Sequence, residues 1–181
     1  MANEDGVTHY PLGAIVIHWF TALCVFGLIP VGVFMANMDE GPAQDRVFTM
    51  HESFGVLVLA LTIARLVWKA LGGLPKPAAV LTPFERMASQ SAQGLLYVLL
   101  LIAPVIGWLG AGAYGLDVDL FGLFSLPTIL AKDEVLGDQI FNVHRACAIL
   151  IVLVTTAHIV GAIVHKMRDD GVMQRMLPRR K

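Results

Sequence analysis

The stretch IFNVHRACAILIVLVTTAHIVGAIV, residues 140–164, decides the fold, because it is long and apolar enough to cross a membrane and yet contains two histidines. His144 and His158 are fourteen residues apart, which on a helix is a rise of about 21 Å with a difference of about 40° around the axis. An ionisable side chain at membrane depth costs free energy, so each histidine is a functional candidate. One helix would therefore carry two ligands, one near each membrane surface.

The composition also indicates a polytopic membrane protein. Of 181 residues, 56% are hydrophobic and only 15% are charged, and the mean hydropathy is +0.70, whereas an ordinary soluble domain has about 25% charged residues. We predict an all-α fold, a bundle of four transmembrane helices formed by one domain over residues 1–181. The predicted spans run from Leu12 to Phe34, from Val47 to Leu71, from Ser91 to Ala113 and from Ile140 to Val164.

The third connection and the two cysteines complete the predicted fold. The apolar stretch LFGLFSLPTILA, residues 120–131, is too short to cross the membrane and contains Pro127. We expect it to form a short interfacial helix in the third connection, with a re-entrant segment as the alternative. Cys24 and Cys147 both lie in apolar segments, and we interpret them as small core residues without a disulfide.

The positions of the basic residues predict the orientation. Most of the 13 Lys and Arg residues lie in or beside the second connection or in the C-terminal tail, whereas the first and third connections are acidic. By the positive-inside rule, both termini face the cytoplasm. The basic residues concerned are Arg65, Lys69, Lys76, Arg86, Lys166, Arg168, Arg175, Arg179, Arg180 and Lys181.

This orientation sorts four histidines into two layers. His18 and His158 are expected near the cytoplasmic surface, and His51 and His144 near the outer surface. Two imidazoles that face each other across a helix bundle are what a six-coordinate haem iron requires. Since the sequence has no Cys-x-x-Cys-His, we predict two haem b groups held without thioether links. A small residue, which leaves room for a flat macrocycle, follows each histidine by four positions: Ala22, Gly55, Ala148 and Ala162.

Other interpretations of these histidines stay open at this point. A zinc or copper transporter is one, although it would favour a cluster of ligands at a single depth. Histidines that only hydrogen-bond to a neighbouring helix are another. His165 lies seven residues after His158 on nearly the same face and competes with it as a ligand, but its place at the helix end favours an interfacial role.

Three arginines are candidates for binding the cofactor. Arg65 is fourteen residues after His51, so it projects from nearly the same face at the cytoplasmic level. A guanidinium there can bind an anionic haem propionate, with snorkelling to the lipid headgroups as the alternative. Arg145, and with it Arg46, can serve the outer haem in the same way.

The pattern as a whole resembles the prokaryotic cytochrome b561 family, over almost the full chain. The residues that carry the resemblance are Ile17-His18-Trp19, His51 with Gly55, Arg65-Leu66, Trp68-Lys69, Pro104, Gly107-Trp108, His144, His158, His165 and the closing MLPRR at residues 176–180. The resemblance implies four membrane helices and two b haems with ligands at His18, His51, His144 and His158. It also implies an electron carrier of the bacterial inner membrane that exchanges electrons with the quinone pool. Some members of the family are superoxide oxidases that reduce ubiquinone.

The predicted function is electron transfer from a donor on the outer side, through the outer and then the inner haem, to the quinone pool. Superoxide is a candidate donor, but the acidic outer connections disfavour an incoming anion unless Arg46, Lys132 and Arg145 form a local basic patch. The alternative is a haem-bearing membrane anchor subunit of a larger hydrogenase or dehydrogenase. For that role the third connection would be the partner surface.

Overall fold

Four long helices dominate the part of the chain that the structure describes, residues 9–72 and 74–178 of a computed structural model. They are α1 (Leu12–Met35), α2 (Pro42–Ala70), α3 (Pro83–Ala113) and α4 (Glu134–Arg168). Each is long and apolar enough to cross a membrane, with a mean hydropathy between 1.7 and 2.5 over its most apolar window. The predicted all-α fold with four transmembrane helices is thus confirmed.

Helices α3 and α4 begin earlier than the predicted spans because their polar first turns are capped by side chains. Thr82 accepts a hydrogen bond from the Glu85 N–H while the Glu85 carboxylate accepts one from the Thr82 N–H, so α3 begins with a capping box. At α4, the Asp133 carboxylate accepts a hydrogen bond from the Leu136 N–H. The 35 residues of α4 span about 52 Å, well beyond the roughly 30 Å of hydrocarbon. Its ends therefore project into the interfacial regions.

The centre of the bundle is an apolar cluster to which every helix contributes. Its buried members are Cys24, Val25, Val58, Leu99, Ala103 and Ile151. Cys147 packs against the same cluster, so both cysteines are small core residues, and both are free thiols. Large apolar side chains such as Leu23 and Leu153 are exposed on the outside of the bundle, where a membrane protein contacts lipid.

Two glycines lie at close contacts between α4 and the end of α3. A Cβ at Gly110 would lie 2.8 Å from the Phe141 ring, and a Cβ at Gly137 would lie 2.7 Å from the Tyr114 ring. The Tyr114 hydroxyl donates a hydrogen bond to the Asp138 carboxylate at 2.5 Å, which holds the ring in place. This hydrogen bond favours the neutral phenol and raises the pKa of Tyr114 above its ordinary value.

The third connection differs from the prediction, because the expected short interfacial helix is not what forms there. Residues 118–126 form an antiparallel hairpin of β1 (Val118–Leu120) and β2 (Phe124–Leu126), and residues 127–133 have no regular structure. The buried side chains of Val118 and Leu120 flank a more exposed Asp119, which is the alternation of a strand. Phe121 and Gly122 then reverse the chain with left-handed φ values of 55° and 70°, and the Asp119 carboxylate accepts a hydrogen bond from the Gly122 N–H.

A buried serine of α2 fastens this hairpin to the bundle. The Ser53 hydroxyl accepts a hydrogen bond from the Phe121 N–H at 2.9 Å and lies 3.0 Å from the Asp119 carbonyl oxygen. Val118 and Leu120 pack against Ala111 of α3. The hairpin is therefore part of one end of the bundle, which we call the hairpin side.

The opposite end, which we call the termini side, carries the beginning of α1 and the end of α4. A 3₁₀-helix, Met173–Met176, folds back there, and the Trp19 indole N–H donates to the Met176 carbonyl at 2.8 Å. The buried guanidinium of Arg175 donates to the Lys76 carbonyl at 2.6 Å and lies 5.4 Å from the centroid of the Tyr10 ring. Arg179, Arg180 and Lys181 lie outside the described residues, and the membrane side that each end faces stays a prediction.

Replacing Gly137 by alanine should destabilise the bundle, because the new methyl group collides with a Tyr114 ring that its hydrogen bond holds in place. Overpacking of this kind costs about 1–3 kcal/mol. Thermal unfolding of the purified protein in detergent would measure it as a lower Tm. Gly94→Ala is the matched control, since a Cβ at Gly94 meets nothing within 4 Å, and alanine favours a helix over glycine by up to about 1 kcal/mol. Equal Tm values for the two variants would contradict the close approach of α3 and α4.

Candidate functional site

Four histidines form two pairs at two levels of the bundle. On the termini side, the rings of His18 and His158 have centroids 6.3 Å apart. On the hairpin side, those of His51 and His144 are 6.2 Å apart. We call these the termini-side pair and the hairpin-side pair. The structure thus brings together the same partners that the sequence pattern groups by depth, and α4 contributes one ring to each pair.

The main chain of α3 orients His144. Its Nδ1 lies 2.9 Å from the Ala103 carbonyl oxygen. Because a carbonyl oxygen only accepts hydrogen bonds, Nδ1 carries the proton and the lone pair of the neutral ring is on Nε2. A Cβ at Gly107 would lie 3.3 Å from the His144 Cε1. The absence of a side chain at Gly107 therefore leaves room for this ring.

A glycine also makes room for His51, the partner of His144. A Cβ at Gly32 of α1 would lie 3.1 Å from the His51 Cε1. The Nδ1 atom of His51 is buried and has no hydrogen-bond partner in residues 9–72 and 74–178. Beside it, Gly55 opens onto free space, since a Cβ there would meet nothing within 4 Å.

The termini-side pair has a cationic environment instead. The Arg65 Nη1 lies 2.6 Å from the His18 Nδ1. Since a guanidinium only donates hydrogen bonds, Nδ1 is the acceptor here and the proton of the neutral ring is on Nε2. The Arg65 Cζ and the Lys69 Nζ lie 5.8 Å and 5.4 Å from the centroid of the Tyr97 ring. Arg65 thus turns inward to His18, whereas snorkelling would take it to the lipid headgroups.

A cavity lies beside the termini-side pair and contains polar groups that the sequence analysis did not single out. Gln93 and Tyr97, one turn apart on α3, and Thr155 of α4 line it together with Ala22 and Arg65. A glutamine and a tyrosine four positions apart in an apolar run are a signal in the sequence. Reasoning from histidines and charged residues does not reveal it.

The remaining candidates have partners outside the two histidine pairs. Arg145 is exposed and donates to the Asn142 side chain at 3.3 Å. Arg46 is also exposed and donates to the Pro42 carbonyl oxygen. His165 has its own partner, since its Nδ1 lies 2.6 Å from the Asp170 carboxylate. Burial would raise the pKa of Asp170, but hydrogen bonds from His165 and the Val172 N–H outweigh it and hold that pKa below its ordinary value.

Histidine pairs at two depths of a four-helix membrane protein are typical of membrane cytochromes. The profile of the family described as prokaryotic cytochrome b561 matches residues 9–179, and the chain belongs to that family. It is therefore a membrane haem protein of an electron-transfer family, and the family implies haem b. This favours haem over the zinc or copper alternative.

Individual relatives match over nearly their whole length. Cytochrome b561 homolog 2 of Escherichia coli K12 is 26% identical over 98% of this chain and 95% of its own length. Cytochrome b562 of Cereibacter sphaeroides is 25% identical over 99% of this chain and 100% of its own. Cytochrome b561 homolog 1 of Escherichia coli K12 is 24% identical over 92% of this chain and 96% of its own.

The geometry of the pairs fits a haem iron. An imidazole nitrogen binds a transition metal at about 2 Å, and the ring centroid lies about 1 Å behind that nitrogen. Two axial imidazoles on one iron therefore have centroids about 6 Å apart, which agrees with 6.2 Å and 6.3 Å. The free Nε2 of His144 suits this role directly. At His18, iron binding through Nε2 requires Arg65 to exchange Nδ1 for an anionic acceptor, which a propionate provides.

Gly107→Val should lower the haem content, because its side chain would occupy the space of the His144 ring and move it away from the Ala103 carbonyl oxygen. We expect loss of about one haem per chain, measured as the ratio of haem to protein in the purified variant. Gly161→Val is the matched control on α4, where a Cβ would meet nothing within 4 Å. Full haem content in Gly107→Val would mean that the ring does not need this space.

Proposed function

We propose that this chain is a di-haem b cytochrome of the bacterial inner membrane that transfers electrons from a donor on the hairpin side to the quinone pool. His18 and His158 would hold one haem, and His51 and His144 would hold the other. The observation that carries the proposal is the separation of about 6 Å between the rings of each pair, which is the spacing of two imidazoles on one iron.

The residues around the pairs have separate roles. The Ala103 carbonyl fixes the tautomer of His144, so that Nε2 has the lone pair that would hold the iron. Arg65 and Lys69 both lie near the Tyr97 ring, and they bind haem propionates on the termini side. Arg145 binds a propionate of the other haem from the surface next to His144.

The apolar cluster between the two levels keeps water and ions out of the middle of the bundle. When bound, haem b supplies reversible one-electron chemistry at its iron. Since a quinone takes up two electrons and two protons to become a quinol, two one-electron oxidations of the donor balance each quinone reduced. The protein fixes two binding positions at different depths for this transfer, and α4 contributes one histidine to each.

Charge supports an orientation with both termini in the cytoplasm. Basic residues on the termini side include Lys76, Arg86, Arg168 and Arg175, whereas Asp117, Asp119, Asp133 and Asp138 lie on the hairpin side. Basic flanks stay on the cytoplasmic side of a membrane. The hairpin side then faces outward, and quinone is the acceptor within the membrane.

Superoxide is the donor to test first. Arg46 and Arg145 are exposed on the hairpin side and attract a small anion, whereas Lys132 is paired with Glu134 at 3.0 Å. One observation favours the alternative, a haem-bearing membrane anchor of a larger hydrogenase or dehydrogenase. Leu123 and Phe124 at the hairpin are 80% and 59% exposed, which suits a protein partner.

Single histidine variants test the ligand assignment. His51→Ala or His144→Ala should remove one of two haems, and His18→Ala or His158→Ala should remove the other, because each iron loses an axial ligand. Absorption spectra of the reduced variants, with the ratio of haem to protein, measure this outcome. His165→Ala is the control, since His165 is paired with Asp170, and it should keep both haems. Fewer than about two haems in the unmodified protein would contradict the layered arrangement.

Turnover of the purified protein tests the electron-transfer direction and the anchor alternative. On addition of superoxide and a short-chain ubiquinone, we expect oxidation of superoxide that depends on quinone and is absent in His51→Ala. The concentration of quinol formed should be half that of the superoxide consumed. A holoprotein with two haems that shows no quinone-dependent turnover would favour the anchor role.

A further inference from the structure

The two histidine pairs differ in what surrounds them, and the difference has a consequence for the direction of electron transfer. The inference drawn here rests on the ligand assignment of the proposed function. The hairpin-side pair is held by a main-chain hydrogen bond, and the termini-side pair is held beside a guanidinium. Charge and hydrogen bonding around the axial ligands are two of the means by which a protein sets the potential of a haem.

On the hairpin side, the environment donates electron density to the metal position. The His144 Nδ1–H points at the Ala103 carbonyl oxygen at 2.9 Å. A hydrogen bond of this kind makes the imidazole a more basic ligand. A more basic ligand favours the oxidised iron and lowers its reduction potential.

Among the charges on the hairpin side, the Asp119 carboxylate acts in the same direction, whereas Arg46 and Arg145 act against it from exposed positions where water screens them. Ser53, two positions after His51, holds the hairpin through the main chain of Asp119. The carboxylate of Asp119 accepts a hydrogen bond from the Gly122 N–H at 2.7 Å, so it stays within the same turn. A negative charge at this level favours the more positive, oxidised iron.

On the termini side, the environment withdraws electron density. Arg65 is always charged, and its Nη1 lies 2.6 Å from the His18 Nδ1. Lys69 adds a second cation against the same Tyr97 ring. Arg65 is half-buried, where a fixed charge acts more strongly than it does in water. Whether the guanidinium contacts His18 or a propionate, it remains on α2 beside this pair and favours the reduced iron.

We propose that Arg65, as a fixed positive charge beside the termini-side pair, sets the termini-side haem at a higher reduction potential than the hairpin-side haem, so that electrons move from the hairpin side to the termini side. Each transfer oxidises the hairpin-side iron by one electron and reduces the termini-side iron by one, without bond formation. The direction of flow is then a property of the resting protein and does not depend on which donor is present.

Redox titration of the purified holoprotein, followed by absorption spectroscopy, tests this proposal. Arg65→Gln should lower the reduced-to-oxidised ratio of the termini-side haem about tenfold at a fixed applied potential, which corresponds to about 59 mV. The hairpin-side haem should be unchanged. Arg65→Lys keeps the charge and should restore most of the ratio. Arg86→Gln on α3 is the control, since it removes an equal charge from an exposed site that contacts neither histidine pair.

If Arg65→Gln loses a haem, its potentials cannot be compared with those of the unmodified protein. Histidine variants that keep a single haem then supply the comparison. His51→Ala should retain the termini-side haem and His18→Ala the hairpin-side haem, and each is titrated alone. A termini-side potential equal to or below the hairpin-side potential would overturn the inference while leaving the ligand assignment intact. Equal shifts in Arg65→Gln and Arg86→Gln would overturn the role of Arg65. If the histidine variants lose no haem, the proposed function itself is wrong.

Discussion

The structure depends on how a membrane protein accommodates ionisable rings in an apolar interior. An unpartnered imidazole at membrane depth is costly. The bundle places the four rings in opposed pairs, and it gives His144 the Ala103 carbonyl oxygen and His18 the Arg65 guanidinium as hydrogen-bond partners. The helix packing follows from the same requirement, because glycines stand where the rings of the hairpin-side pair come closest to a neighbouring helix.

The contact between α3 and α4 fixes the hairpin-side pair more tightly than the other. Gly107 and Gly110 face His144 and Phe141, and Gly137 faces Tyr114 at the end of α3. These close approaches determine the rotation of α4 about its axis. Since α4 is one continuous helix, that rotation also determines where His158 points, about 21 Å further along. The termini-side pair then adapts to α4 through longer, flexible side chains such as Arg65 and Lys69.

Much of this arrangement could be predicted from the sequence, because helix periodicity and charge asymmetry act over long stretches. The four spans and the depth of each histidine follow from apolar length and from the positions of lysine and arginine. The hairpin could not be predicted in the same way. Apolar content in residues 120–131 suggested an amphipathic element, whereas the strand is specified by the alternation at residues 118–120 and by one distant hydrogen bond from Phe121 to Ser53. Long-range contacts of this kind leave no periodic signal.

The hydrogen-bond partners of the arginines could not be predicted either. Residue spacing predicts the helix face and the depth of a side chain, but it does not predict which atom that side chain contacts. Arg65 was predicted at the right level, yet its contact with His18 depends on how α1 and α2 pack, which Gly13 permits by lying against the Trp68 ring. The two pairs share one ligand type and nearly one ring separation. Any functional difference between them must therefore come from their neighbours, a carbonyl on one level and a guanidinium on the other. A helix that carries chemically equal ligands at both levels needs such unequal neighbours if electrons are to prefer one direction.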